Sequence, residues 1–192
     1  MPLIRSLLLI LFLTGAAYAE PIQIIAFGGS NTFGKGVANS DAYPAQLERL
    51  LRSAGYDVTV KNEGTNGQTT SDELEKLGSA VPDGARIVIF QPGGNDKRPG
   101  KKHFVHGDTG SNIRTIVQKL LERKILVLFS GPPSRTQFVE NLNILTIDEI
   151  NRLAPNDLQG DQEHLTANGY KIVAEKMLPL VRQMLDQLAM QP

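Results

Sequence analysis

Ile22-Gln23-Ile24-Ile25-Ala26-Phe27-Gly28-Gly29-Ser30-Asn31 is an almost unbroken apolar run that stops at two glycines and a hydroxyl. A run that short, with little polar alternation, fits a strand buried on both faces, and such strands belong to parallel sheets covered by helices on either side. The pattern recurs downstream: Arg86 to Phe90 runs into Pro92-Gly93-Gly94, and Ile125 to Phe129 runs into Gly131-Pro132-Pro133. Asp57 to Lys61 alternates as a further strand.

The segments between these strands carry helical spacing. Tyr43 to Ala54 places Pro44 in its first turn and Leu47, Leu50 and Leu51 on one side, and Gly55 ends it. Ser71 is read as the cap of a helix through Leu77, and Ser111 to Lys124 gathers Ile113, Ile116, Val117, Leu120 and Leu121 on one face. Ile144 to Ile147 is a candidate fifth strand, although Ser134 to Asn143 is short for a crossover. Ala167 to Leu188 closes the chain as a helix expected to break or kink near Pro179. Strands alternating with helices in this way predict one α/β domain over residues 20–192, with a mostly parallel central sheet and helices on both faces.

Residues 1–19 read as a signal peptide. Arg5 precedes the apolar run Leu7 to Leu13, and Ala17-Tyr18-Ala19 offers a small-x-small cleavage site before Glu20. The run falls short of the roughly 20 apolar residues that span a bilayer, so no stable membrane span is expected after cleavage. A periplasmic or secreted location follows. There is no cysteine, which removes disulfides and thiolate metal ligands, so the domain must rely on its core.

The chain is formally neutral, and loss of a leader whose only charge is Arg5 leaves the remainder one unit negative. Nothing in that balance points to nucleic acid. Lys97, Arg98, Lys101 and Lys102 form one local basic cluster, read as a solvated loop.

In open parallel sheets the binding crevice lies beyond the carboxyl ends of the strands. Gly28 to Asn31, Asn62 to Thr70 and Gly93 to Asp96 are polar, glycine-rich segments at or just beyond such ends. Ser30 stands where its hydroxyl projects from the sheet, a placement suited to a nucleophile and also to an ordinary turn serine. A serine nucleophile needs a base, and the chain has three histidines. His103 and His106 lie in a charged, glycine-flanked loop and read as exposed. His164 follows Asp161 by three residues, so a carboxylate is positioned to take one imidazole N–H and aim the other nitrogen at a serine. Gly67 permits close backbone approach and Asn95 offers a side-chain amide, the kinds of donor that stabilise an oxyanion.

Taken together, Gly28-Gly29-Ser30-Asn31-Thr32, Gly67, Gly94-Asn95-Asp96 and Asp161-x-x-His164 resemble the four ordered blocks of the SGNH hydrolases, also called the GDSL esterase family. Ala42-Tyr43-Pro44-Ala45-Gln46-Leu47 and His164-Leu165-Thr166-Ala167-Asn168-Gly169-Tyr170 resemble its flanking stretches, closest to the bacterial thioesterase, lysophospholipase and arylesterase branch. The resemblance implies a three-layer, flavodoxin-like α/β/α fold. It implies Ser30 as nucleophile, His164 as base and Asp161 as its orienting carboxylate, with oxyanion donors from the Ser30 N–H, the Gly67 N–H and the Asn95 side chain. It also implies a small acyl ester or thioester substrate, an acyl-enzyme, no metal and no organic cofactor.

Two departures stand out. Gly29 occupies the position where the family usually has Asp, and Ser134 to Asp161 is compressed, which predicts a more open cleft and short acyl groups. A carbohydrate O-acetyl esterase and a noncatalytic ligand-binding module are the alternative readings on the same fold. Gly29 to Gly36 also approaches a phosphate-cradling loop, but Gly36 stands where Mg²⁺ binding needs Ser or Thr and the third strand ends in Gln91-Pro92 rather than an acid.

Overall fold

The computed structural model describes residues 20–96, 108–148 and 152–191. The expected leader, the basic cluster from Lys97 to Lys102, His103 and His106 lie outside the described residues.

Five strands form one sheet: β1 (Ile22–Gly28), β2 (Val58–Gly64), β3 (Ala85–Gln91), β4 (Leu126–Ser130) and β5 (Leu145–Ile147). Their order is β2-β1-β3-β4-β5 and every pairing is parallel. Successive strand side chains point to opposite faces, and both faces are covered. Ile24, Ala26, Ile87, Ile89 and Leu128 pack with Leu47 and Leu51 of α2 (Tyr43–Ser53) and with Val173, Met177 and Leu185 of α6 (Ala167–Ala189). Ile25, Phe27, Val88, Phe90 and Phe129 pack on the other side with Leu77 of α3 (Thr70–Ala80) and Ile113, Ile116 and Leu120 of α4 (Thr109–Glu122). This double burial is the physical reason the strands read as continuous apolar runs. Phe27 stacks on Phe90 at 5.6 Å between centroids, and Phe90 meets Phe129 edge-on at 5.9 Å.

The structure bears out the α/β/α architecture and adjusts several boundaries. β2 continues three residues past Lys61, because Asn62, Glu63 and Gly64 pair with Ala26, Phe27 and Gly28. The cap of α3 is Thr69, not Ser71: its hydroxyl accepts from the Asp72 N–H while the Asp72 carboxylate accepts from the Thr69 N–H, a reciprocal capping box. β5 is present, and the chain reaches it from β4 through one four-residue helix, α5 (Pro133–Thr136), and turns. Helix α6 runs unbroken through Pro179. An internal proline costs a helix about 3 kcal/mol, and burial of Val173, Met177, Val181, Met184, Leu185 and Leu188 offsets it.

The strand order reverses direction between β1 and β3, and the crevice of such a sheet opens where that happens. Ser30 follows the end of β1 and Gly93 to Asn95 follow the end of β3, so the fold sets both segments at the switch point.

Candidate active site

Ser30 begins α1 (Ser30–Phe33), one helical turn stopped at Gly34. The exit from β1 is pinned by the Gly29 N–H, which donates to the Gln91 carbonyl at 3.1 Å. Facing it, Leu158 and Leu165 form an antiparallel bridge that closes a loop, reinforced by the Gln159 N–H donating to the His164 carbonyl at 2.7 Å. The loop enters α6 through Thr166, whose hydroxyl caps the helix at the Gly169 N–H.

Within that loop Asp161 folds back on its own backbone. Its Oδ1 accepts from the Glu163 and His164 N–H groups, both at 3.0 Å, and its Oδ2 lies 2.6 Å from His164 Nδ1. His164 Nε2 lies 2.9 Å from Ser30 Oγ. With Nδ1 donating to the carboxylate, Nε2 is left to accept the serine proton, so the partners define the tautomer. The imidazole bond first, then the two backbone bonds, hold the Asp161 carboxyl well below the usual carboxylate range. These bonds favour the anionic form of Asp161, the form that accepts from the imidazole. The imidazole is only 4% exposed, whereas the Asp161 side chain is 42% exposed.

Ser30, Gly67, Asn95 and His164 line one cleft of about 720 Å³. Asn95 is buried, and its amide donates to the Gln68 carbonyl at 2.8 Å, which orients the group and leaves its second N–H for a ligand. The fold thus gathers the residues singled out from the sequence, with Asp161 reaching the cleft through His164.

Other side chains shape the site without a sequence signal of their own. Gln159 donates both amide hydrogens, one to the Lys35 carbonyl at 2.7 Å and one to the Leu165 carbonyl at 2.6 Å. It ties the segment after Ser30 to the segment after His164. A Cβ at position 36 would lie 2.2 Å from Gln159 Oε1, so Gly36 makes room for that amide. Asn31 adds a second tie, donating to the Glu163 carbonyl at 3.2 Å and accepting from the Tyr170 hydroxyl at 3.2 Å. Gln159→Leu keeps the bulk but leaves two carbonyls without their donors, and the Ser30 to His164 spacing loses a constraint. A fall in kcat of about 10-fold or more is expected, with KM little changed, because small displacements of reacting groups are costly. Steady-state kinetics check this, and an unchanged kcat would show that the two loops hold without the amide.

Beneath the cleft, Glu73 of α3 is fully buried, and its Oε1 accepts from the Gly93 N–H at 2.7 Å. Its Oε2 has no hydrogen-bond partner among the described residues. Burial pushes this carboxyl well above its ordinary value against the pull of the Gly93 bond; Asp96 and Asp72 push it further up and Arg135 draws it down. A raised carboxyl contributes stability in full below its unfolded value and loses it as pH rises through the folded one. Glu73→Gln cannot ionise, so its melting temperature should gain on that of the wild type as pH goes from 5 to 8. An equal gap at both pH values would contradict the burial argument.

Gly29 packs against the other side of the same loop. A Cβ there would come within 2.7 Å of Gly93 Cα and 3.3 Å of Gly93 N. The backbone at Gly29 has φ −87, so the bar to a side chain is space rather than chain conformation.

Comparison with known proteins bears on the family. The model of the GDSL-like Lipase/Acylhydrolase family matches residues 26–154. Esterase TesA of Pseudomonas aeruginosa is 26% identical over 136 residues, an overlap that covers 69% of this chain and 65% of that relative, just under two thirds of its length. The crystal structure of a protein named TesA superposes with a TM-score of 0.74 at 19% identity, covering 84% of this chain and 99% of that one, a likeness of fold. AlinE4, a SGNH-hydrolase family esterase, is 27% identical with a TM-score of 0.63, over 88% of this chain and 99% of that one. The family model spans more than half of the chain, and the superposed structures share its fold. The chain belongs to the GDSL-like lipase/acylhydrolase family.

Proposed function

We propose that this chain is an exported serine ester hydrolase working through an acyl-enzyme on Ser30. The observation that carries the reading is the hydrogen-bonded chain from Ser30 Oγ through His164 to Asp161, at 2.9 and 2.6 Å. Ser30 Oγ attacks the ester carbonyl while His164 Nε2 takes its proton, and Asp161 holds the imidazole and balances the imidazolium. The Ser30 N–H, the Gly67 N–H and the free N–H of Asn95 serve as donors to the oxyanion. His164 then returns its proton to the leaving alcohol or thiol, activates water, and the acyl group departs as a carboxylic acid.

Export rests on Arg5, the run Leu7 to Leu13 and Ala17-Tyr18-Ala19. No helix among the described residues is long and apolar enough to cross a membrane.

The proposed acyl group is short. The wall between β4 and β5 is a single helical turn, and the described lining offers only Leu153, Leu158, Pro92 and Pro132 as apolar surface. A twelve-carbon chain would leave most of its methylenes without apolar partners, each forgoing about 0.8 kcal/mol of burial. Across nitrophenyl esters from two to twelve carbons, kcat/KM should be highest at two to four carbons. A steady rise to twelve would contradict the short-acyl reading. The same polar lining favours acetate esters of hydroxyl-rich alcohols as a second reading, which release of acetate from acetylated glycans would support.

A further inference from the structure

The lining of the cleft carries more positive than negative charge. Lys35, from the end of the turn that holds Ser30, and Arg135, from α5, both border it, while Glu163 is the one carboxylate among the described lining residues. Neither cation has a carboxylate within ion-pair distance among the described residues. Cations that line a cleft unpaired raise the local concentration of anions and leave donors available to one.

Arg135 is also held in place. One of its terminal nitrogens donates to the Pro92 and Gly93 carbonyls at 2.7 and 2.9 Å, anchoring the guanidinium to the loop that carries Asn95. Two hydrogen bonds use up that nitrogen, so the rest of the planar fork keeps its donors, the arrangement that receives a carboxylate or phosphate in two parallel bonds. Also in the lining, Ser130 at the end of β4 is buried and its hydroxyl has no hydrogen-bond partner among the described residues. A buried hydroxyl left without a partner, in a cleft that also holds a guanidinium with free donors, calls for a polar group to satisfy it. Of the buried acids, Glu73 senses the arginine, and desolvation pushes its carboxyl toward the neutral form.

We infer that the cleft contains an anion subsite built on Arg135 and Ser130, with Lys35 adding to its field, and that the substrate is an ester bearing an anionic oxygen group near the scissile bond. The inference rests on the reading of Ser30 as nucleophile and adds to it the chemistry of the ester. The anionic group has two sources, the acyl part or the alcohol part, and both present the same oxygens to the guanidinium.

Two matched pairs of synthetic esters test this on the full chain. In the first, 4-acetoxybenzoate is compared with its methyl ester, so the charge lies on the leaving group. In the second, the 4-nitrophenyl monoester of succinic acid is compared with 4-nitrophenyl butyrate, so it lies on the acyl group. The readout is the ratio of kcat/KM for the anionic member to that for the neutral one. Wild type should favour the anionic member of one pair by about 10-fold, the scale of one charge-assisted hydrogen bond, and the pair that shows it identifies the source. The ratio should collapse in Arg135→Gln and fall in part in Lys35→Gln. Because Arg135 also braces the Asn95 loop, a general loss of rate in Arg135→Gln is read through the ratio, and Lys35→Gln removes charge without touching that brace. A wild-type ratio at or below one in both pairs, or a preference that survives both substitutions, would overturn the subsite. Failure of all four esters, anionic and neutral, would instead count against Ser30 as nucleophile.

Discussion

Ser30→Ala should lower kcat on short nitrophenyl esters by a factor on the order of 10⁴ to 10⁶, with the melting temperature within a few degrees of wild type. The Oγ is the atom proposed to carry the acyl group, and no other hydroxyl hydrogen-bonds His164 Nε2 among the described residues. His164→Ala should cost about as much. Asp161→Asn should cost less than His164→Ala, since the backbone N–H bonds of residues 163 and 164 still fix the loop while the imidazole loses its counter-charge and preferred tautomer. An Asp161→Asn variant worse than His164→Ala would mean that the carboxylate does more than orient the ring. Stopped-flow and steady-state assays on purified variants, with circular dichroism melts alongside, separate lost chemistry from lost fold.

The second large effect runs against what family resemblance would suggest. Restoring the family's usual residue by Gly29→Asp should damage this protein, lowering kcat at least 10-fold and the melting temperature by several degrees. A Cβ at position 29 comes to 2.7 Å from Gly93 Cα, a backbone atom that cannot rotate away, so either the turn bearing Ser30 or the loop bearing Asn95 must move. Overpacking of that kind costs about 1–3 kcal/mol, and displacement of reacting groups by about 1 Å costs about 100-fold in rate. The added carboxylate would also approach Glu73, whose Oε1 lies 3.9 Å from that Cβ. Gly29 is thus matched by the contact with Gly93 and by a buried carboxyl that reaches Gly93 from α3. A Gly29→Asp variant with raised kcat would show the glycine to be a lesion that its surroundings have not accommodated.

The parts of the fold that were legible in sequence are those set by local pattern. Ile24 to Phe27 and Ile87 to Phe90 are apolar at every position because both sheet faces are covered, and no helix would need such a run to be so short. Boundaries decided by distant partners were less legible. Thr69, Thr70 and Ser71 are all plausible caps, and the choice falls on Thr69 because Thr70 is turned inward to the Asp96 carboxylate, a contact across 26 residues. Pro179 carries a local signal to break α6, and it is overruled by the buried face that runs from Val173 to Leu188.

The site divides along the same line. Asp161 and His164 sit three residues apart, so their pairing is nearly local, and Ser30 is marked by the end of an apolar strand. Gln159 reaches Lys35 across 124 residues, and Arg135 reaches Pro92 across 43, so neither contact exists until the sheet has assembled. Glutamine in an irregular stretch and arginine after Pro-Pro carry no period or motif to flag them. The side chains that do the proposed chemistry were therefore visible before the fold, and those that hold them in register were not.

The most direct test of the account is covalent labelling with a fluorophosphonate, followed by peptide mass spectrometry. The central claim predicts one adduct, on Ser30, absent in Ser30→Ala and much slowed in His164→Ala, with ester turnover lost in step with labelling. An unlabelled protein, or an adduct on another serine with turnover lost, would contradict it.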